Sequence, residues 1–275
     1  MNEIKIGIVI PAHNEAMTMT NCLTSVQTAM TQLPPTITAY PLVVLDSCTD
    51  ETLALVKAAG VDYLCCHYHC VGRVRDMGIR HAIKKGATWI ACTDADSIVT
   101  VDWLIQQIAH MTQQPTDMIC GVVSVDSWAY LAPQTRQDYI NHYQDSMGHR
   151  HIHGANLMFS SEAYLTVGGF APLPCHEDVD LVKKFEAQGY AITWSNQVRV
   201  ITSSRLEARA AEGFAAFSRA ASVMMLGHLF IQFSAIRMWR HAHLDGQTRD
   251  ALWLHVSSAQ GSRRHQPRQR LVANR

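Results

Sequence analysis

The sequence predicts an α/β protein built on a doubly wound, mostly parallel sheet. Short, nearly continuous apolar runs recur through the first half, amphipathic helical stretches separate them, and each run ends at a proline or beside an acidic residue. Such runs are strands buried on both faces. Strands alternating with helices make parallel sheets with helices on either side.

The first strand is expected over Ile4 to Ile10, ending at Pro11, the second over Leu42 to Leu45, ending at Asp46, and the third over Trp89 to Cys92, leading to Thr93-Asp94. Between them, Met19, Leu23, Val26 and Met30 recur at helical spacing and share one face. Thr49-Asp50 can cap a helix carrying Leu53 and Val56. Val71 to Lys85 reads as a helix ended by Gly86.

The second half is less regular. Met118 to Val125 reads as a strand, Gln134 to Gln144 as a helix, and His153 to Phe159 as extended. Glu177 to Gln188 reads as a helix ended by Gly189, and Ala191–Trp194 and Val198–Ile201 as two short strands. Phe214 to Ile236 is apolar but interrupted by Arg219, His228 and Gln232. A membrane span needs about 20 mostly apolar residues. An amphipathic helix fits this stretch better, packing or pairing with a second copy in a homodimer, with peripheral membrane contact as the alternative. Ser262 to Arg275 is polar and basic, the composition of a loose tail.

Composition narrows the class. A chain of 275 residues suits one α/β domain with an elaborated second half. Lys+Arg and Asp+Glu both number 23, so the whole-chain charge carries no nucleic-acid footprint. The start shows no basic, then apolar, secretory leader. The eight cysteines are therefore expected as free thiols in a cytoplasmic protein.

In open α/β sheets, ligands bind beyond the carboxyl ends of the strands. Here those ends carry His13-Asn14-Glu15, Asp46 and Asp94-Ala95-Asp96. Two carboxylates one residue apart suit a hard divalent cation, Mg²⁺ or Mn²⁺, with positions left for phosphate oxygens. They also suit a pair of solvated turn aspartates. Asp46 can accept hydrogen bonds from a base or ribose. His176-Glu177-Asp178-Val179-Asp180 precedes an amphipathic helix, where a carboxylate can serve as a general base or simply favour a helix N-terminus.

These segments occur in one order: Val9-Ile10-Pro11-Ala12-His13-Asn14-Glu15, Val44 to Asp50, Gly72-Arg73-Val74-Arg75-Asp76-Met77-Gly78-Ile79, Thr93 to Asp96, Gly154-Ala155-Asn156, Val167-Gly168-Gly169-Phe170 and Glu177 to Leu181. As a series, over roughly residues 4 to 205, they resemble the family 2 glycosyltransferases with the GT-A fold. The resemblance implies a nucleotide-diphosphate sugar donor, a hydroxyl acceptor and an inverting displacement. Pro11, Asn14 and Glu15 match the first nucleotide-binding loop, Asp46 the aspartate on the donor base, and Arg75 the segment that closes over the nucleotide. Asp94 and Asp96 match the aspartate pair, the second ligating metal and the first near the ribose. Asp178 matches the base, with Glu177 supporting it or binding acceptor. Residues 1–125 would then form the nucleotide-sugar half, 126–210 the acceptor half of the same domain, and 211–275 the C-terminal helix and tail.

Two residues depart from the family pattern, Ser47 and Asp76, and both are expected in the nucleotide pocket. No Gln-x-x-Arg-Trp motif of processive synthases occurs, so a single addition is expected. Among acceptor contacts we expect His153, beside Gly154-Ala155-Asn156, then Asn156, His176 and Trp194; Trp194 fits a core position equally well. His149, His151 and His153 alternate and share one face if extended. Cys65-Cys66-His67-Tyr68-His69-Cys70 imitates a zinc site but lacks a second spaced cluster. Two rival readings remain. A sugar nucleotidyltransferase would need a Gly-rich basic loop after the first strand. A catalytically silent nucleotide-sugar-binding scaffold would have no use for Asp94, Asp96 and Asp178 together.

Overall fold

The computed structural model describes residues 4–127, 136–137 and 143–203. In chain order the elements are β1 (Ile4–Ala12), α1 (Met19–Met30), β2 (Ile37–Asp46), α2 (Thr52–Ala58), β3 (Asp62–Cys66), α3 (Val71–Lys84), β4 (Trp89–Cys92), β5 (Ser97–Val99), α4 (Trp103–Gln113), β6 (Met118–Val125), β7 (Leu157–Ser160), α5 (Ser161–Thr166), α6 (Glu177–Ala187) and β8 (Ile192–Thr202).

They form one sheet in the order β3-β2-β1-β4-β7-β6-β8-β5. β3, β2, β1 and β4 run parallel to one another, β7 runs antiparallel to both β4 and β6, β8 is parallel to β6, and β5 closes the edge antiparallel to β8. The mixed order matters for the site. β4 sits at the centre with its carboxyl end beside the turn that starts β5, while β7 brings the chain back past it from the second half.

Each sheet face has its own core. Ile6, Ile8 and Ile10 of β1 pack with Met19, Leu23 and Val26 of α1 and Trp103 and Leu104 of α4 on one face. Val9, Leu42 and Val44 pack with Val74, Ile79 and Ala82 of α3 and Leu181, Val182 and Phe185 of α6 on the other. The period of two along β1 divides its side chains between these clusters, as a strand buried on both faces requires.

The two strands expected at Ala191–Trp194 and Val198–Ile201 are one, β8, whose pairing with β6 jumps from Gly121↔Ser195 to Val122↔Arg199. His153 to Asn156 is a turn rather than a strand start, since Asn156 N–H bonds the His153 carbonyl at 2.8 Å. The zinc-like run divides between β3, where Cys65 is exposed and Cys66 buried, and the loop beyond it. Most of the helix expected at Gln134–Gln144, the stretch Phe214 to Ile236 and the basic tail lie outside the described residues. Among the described residues no helix is long and apolar enough to cross a membrane.

Candidate active site

The carboxyl end of β4 meets the start of α6 through Arg75. This side chain enters from α3 and is 3% exposed. Its Nη2 bonds Asp94 Oδ1 at 2.7 Å, and its Nε bonds Glu177 Oε1 at 3.1 Å. A guanidinium removed from water needs such partners, and its planar fork can hold two carboxylates in fixed directions. The interaction with Asp94, then Glu177, raises the Arg75 pKa further despite burial, so the cation is permanent. Gly154 makes room: a Cβ there would lie 2.7 Å from Arg75 Nη2.

Asp94 and Asp96 flank a tight turn closed by Ser97 N–H on the Asp94 carbonyl at 3.0 Å. Asp94 keeps 35% of its side chain exposed despite the bond to Arg75. Asp96 is half-buried and accepts from the Ser97 hydroxyl at 3.3 Å. The turn thus presents two carboxylates, only one of them engaged by Arg75. Oxygen donors of this kind fit Mg²⁺ or Mn²⁺, which complete their shells with phosphate oxygens and water. Among the described residues no group of three or more His, Cys, Asp or Glu side chains could hold a metal. Two carboxylates alone would leave positions on such a cation for phosphate oxygens and water.

Asp178 lies at the first turn of α6. Its Oδ2 accepts Gly154 N–H at 2.7 Å and its Oδ1 accepts Val179 N–H at 2.8 Å. Burial raises the pKa of Asp178, outweighing these donors and the Arg75 charge. Glu177, 6% exposed, is likewise raised by burial against the opposing pull of Arg75. Both carboxylates are thereby made more basic than surface ones.

At the end of β2, Asp46 is buried, and its Oδ1 accepts Tyr68 N–H at 2.7 Å and the Ser47 hydroxyl at 3.2 Å. Ser47 Oγ also reaches His69 Nε2 at 3.0 Å and His67 Nδ1 at 3.3 Å, and His13 Nδ1 contacts the Asp46 carbonyl at 2.6 Å. Three exposed imidazoles therefore rim the end of β2. His67 and His69 meet at the Ser47 hydroxyl, and His13 at the Asp46 carbonyl. Asn14, Ser47, His69 and His176 all have positive φ, from 47° to 60°. Non-glycine residues in that region cluster at functional loops.

Several expected contacts have other work. Asn14 Oδ1 accepts Thr49 N–H at 2.7 Å and Asp50 N–H at 3.3 Å, tying the loop after β1 to the loop after β2. Glu15 is buried, and its carboxylate accepts the Thr18 hydroxyl at 3.1 Å. Pro11, half-buried, pairs with Val44 inside the sheet. Asn156, expected at the acceptor, is 1% exposed. Both its amide hydrogens are spent, on the carbonyls of Val122 at 2.8 Å and Val198 at 2.9 Å, and its oxygen accepts Trp103 Nε1–H at 2.9 Å. It fills the register break between β6 and β8, where a Cβ on Gly121 would lie 2.2 Å from its nitrogen. Asp76 is likewise bonded within the fold. Its carboxylate takes Arg80 Nε at 2.8 Å and the Tyr164 hydroxyl at 2.7 Å, bracing the Gly168–Phe170 loop. Trp194 is 9% exposed beneath the Arg150 guanidinium. His153 is drawn into an imidazole cluster, and His176 stays exposed at the start of α6.

A parallel βαβ half, an aspartate pair at the central strand end and a returning antiparallel strand define the GT-A class of glycosyltransferases, and solved structures share that fold. The Staphylococcus aureus TarS fragment 1–349, in complex with UDP-GlcNAc, superposes with a TM-score of 0.60 at 15% identity, over 82% of this chain and 67% of that one. The Pyrobaculum calidifontis mannosyltransferase PcManGT, in complex with GDP-Man and Mn²⁺, gives 0.59 at 15% identity over 92% and 79%. GalNAc-T7 with UDP, GalNAc and Mn²⁺ gives 0.58 at 15% over 94% and 55%. The chain spans 40% of a longer TarS structure. Comparison with curated proteins finds no match. The model of glycosyl transferase family 2 matches residues 7–164, and that of glycosyl transferase family group 2 matches residues 89–257. The chain belongs to glycosyl transferase family 2.

Proposed function

We propose that this enzyme transfers a sugar from a nucleotide-diphosphate donor to a hydroxyl acceptor with inversion, using Asp178 as general base and Asp96, with Asp94, to hold a divalent cation. The observation that carries the reading is the shared guanidinium. Arg75 brings Asp94 of the strand end and Glu177 of the helix start within one side chain of each other. A donor diphosphate at the turn and an acceptor hydroxyl at Asp178 would then meet across the anomeric carbon.

When bound, Mn²⁺ or Mg²⁺ would supply positive charge for the leaving diphosphate. The protein groups do the rest. Asp178 takes the acceptor proton while the acceptor oxygen forms its bond to the anomeric carbon and the bond to the diphosphate oxygen breaks. Its raised pKa suits it to that transfer. Gly154 N–H keeps its Oδ2 oriented. Asp46, with Ser47 and His69 beside it, faces the donor base. Eight free thiols support a reducing, cytoplasmic setting.

A panel of nucleoside diphosphates read by thermal shift, with and without Mn²⁺, tests the donor side. A ligand that binds only the native state raises the melting temperature, by about 2.7 kcal/mol of stability at a hundred times its Kd. We expect one nucleotide to shift the wild type only with Mn²⁺, and Asp96→Ala to abolish that shift. An Asp96→Ala variant with the full Mn²⁺-dependent shift would remove Asp96 as metal ligand.

A further inference from the structure

We propose that His149, His151 and His153, stacked with Tyr143, form a proton-sensitive clamp that positions the general base through the Gly154 N–H. The inference rests on the reading of Asp178 as base. The rings form a column: Tyr143 and His151 lie 4.0 Å apart and 2° from parallel, with His149 at 5.3 Å and His153 at 6.0 Å from His151. His149 closes one end edge-on against Trp194 at 5.9 Å. The other end runs through His153 into Gly154, whose N–H lies 2.7 Å from Asp178 Oδ2.

The hydrogen bonds fix the charge state. His151 N–H donates to His149 Nδ1 at 3.1 Å, and Gln144 N–H donates to His151 Nε2 at 3.0 Å. A backbone amide can only donate, so both ring nitrogens must carry a lone pair and both imidazoles are neutral. Tyr143 Oη accepts Val123 N–H at 2.9 Å and has its own proton to give to His153 Nε2 at 3.2 Å. Protonating His149 Nδ1 or His151 Nε2 breaks the bond that holds its ring.

The surroundings relieve such a charge only in part, and burial outweighs them. The carboxylate facing the stack, Asp145, is paired with Arg199 at 2.6 Å and bonded by Asn196. Arg150 lies over Trp194, 3.6 Å from Glu186 of α6. β6 and β8 offer His149 backbone groups of Cys120 and Ser195, which together with Asp145 oppose burial there, while the Ser195 hydroxyl is bonded to His110 of α4. Burial accordingly lowers the pKa of all three histidines, that of His153 to about 3. For a histidine whose folded pKa lies below its unfolded value of about 6.5, the stabilisation is full above that pH and is lost as pH falls toward the folded value. His149, His151 and His153 are positioning residues: they touch Asp178 only through Gly154.

The test uses the full chain and a non-titrating variant, His149→Asn/His151→Gln/His153→Gln, whose amide oxygens can replace the acceptor nitrogens. Amide exchange over residues 143–156, corrected for intrinsic rate, is followed from pH 8 to pH 5. In the wild type we expect protection to fall by roughly tenfold per pH unit for each proton taken up. In the variant we expect it to stay flat; His151→Gln alone, expected to flatten part of the slope, serves where the triple variant does not fold. Equal pH dependence in wild type and variant, or flat protection in the wild type, overturns the clamp. UDP or GDP release from UDP-GlcNAc and GDP-mannose with Mn²⁺ is read over the same range. Its acid limb should be steeper than one proton in the wild type and a single proton in the variant. Exchange that titrates while the rate ignores it overturns the positioning role. Near-normal rate in Asp178→Asn overturns instead the assignment of the base.

Discussion

Two pairs of carboxylates meet in this protein, and Arg75 holds one member of each. Asp94 and Asp96 stand on a strand-end turn, half open to solvent; at the start of α6 Glu177 is buried and Asp178 is half-buried with both oxygens bonded to backbone N–H groups. A helix N-terminus favours an anion by about 0.3–1 kcal/mol, which is under one pKa unit. Burial can shift a carboxylate by several units the other way. The direction observed for Glu177 and Asp178 is upward, so burial wins. Residue type alone does not set the task. An open carboxylate beside a phosphate site suits cation binding, whereas a dry one suits proton transfer.

Removing the guanidinium that joins the two pairs should cost the most. Arg75→Met leaves Asp94 tethered to nothing and Glu177 buried without its counter-ion. Breaking a buried pair in this way costs about 3–5 kcal/mol. We expect a loss of that size in urea denaturation, with both metal-dependent nucleotide binding and transfer lost. An Arg75→Met protein with wild-type stability would show that the two pairs are independent. Asp178→Asn separates the pairs cleanly. Donor binding should persist in calorimetry, while transfer should fall by roughly 10²- to 10⁴-fold, the usual contribution of a positioned base. The acid limb of the wild-type rate should lie above that of an ordinary carboxylate, because burial raises the Asp178 pKa.

Asn156 sharpens the contrast between residues that act on ligand and residues that hold the sheet. Asn156→Ala strips partners from two buried carbonyls and the Trp103 N–H. Unsatisfied buried groups cost about 1–3 kcal/mol apiece and do not add fully. We expect a loss of about 2–4 kcal/mol in denaturation, with acceptor affinity of the remaining folded enzyme unchanged. A change in acceptor KM without loss of stability would return Asn156 to the acceptor site.

Much of this was legible in the sequence because the buried parallel strands are nearly pure hydrocarbon. Ile4–Ile10, Leu42–Leu45 and Trp89–Cys92 all lie within observed strands, and the helical spacing of Met19 to Met30 is α1. α4 was not legible. Its inward face carries Gln107 and His110, both buried, which spoil the apolar period. β3 is an edge strand with Asp62, Tyr63 and Cys65 exposed, and β5 is three residues long, so neither gives a pattern. At the site, strand-end aspartates were readable from position alone. The bond from Arg75 to Glu177 spans 102 positions, and no local pattern encodes it. The jobs of Asn156 and Asp76 likewise depend on partners brought in by the fold.

The smallest effect expected belongs to Asp76, and it tests the boundary of the nucleotide pocket. Its pair with Arg80 is a partly exposed i,i+4 contact, with side chains 26% and 45% exposed. Such pairs contribute about 0.3–0.5 kcal/mol. The Tyr164 hydroxyl accepts Phe170 N–H and so turns its proton to Asp76 Oδ1. Asparagine keeps an oxygen for that proton, so Asp76→Asn removes charge and spares most of the geometry. We expect a loss of under about 1 kcal/mol in denaturation and no change in nucleotide preference across the diphosphate panel. The same panel on Ser47→Asp should shift, because Ser47 sits against Asp46 and His69 at the end of β2. If Asp76→Asn altered base preference and Ser47→Asp did not, the pocket would extend along α3, and the end of β2 would lose its claim to the base.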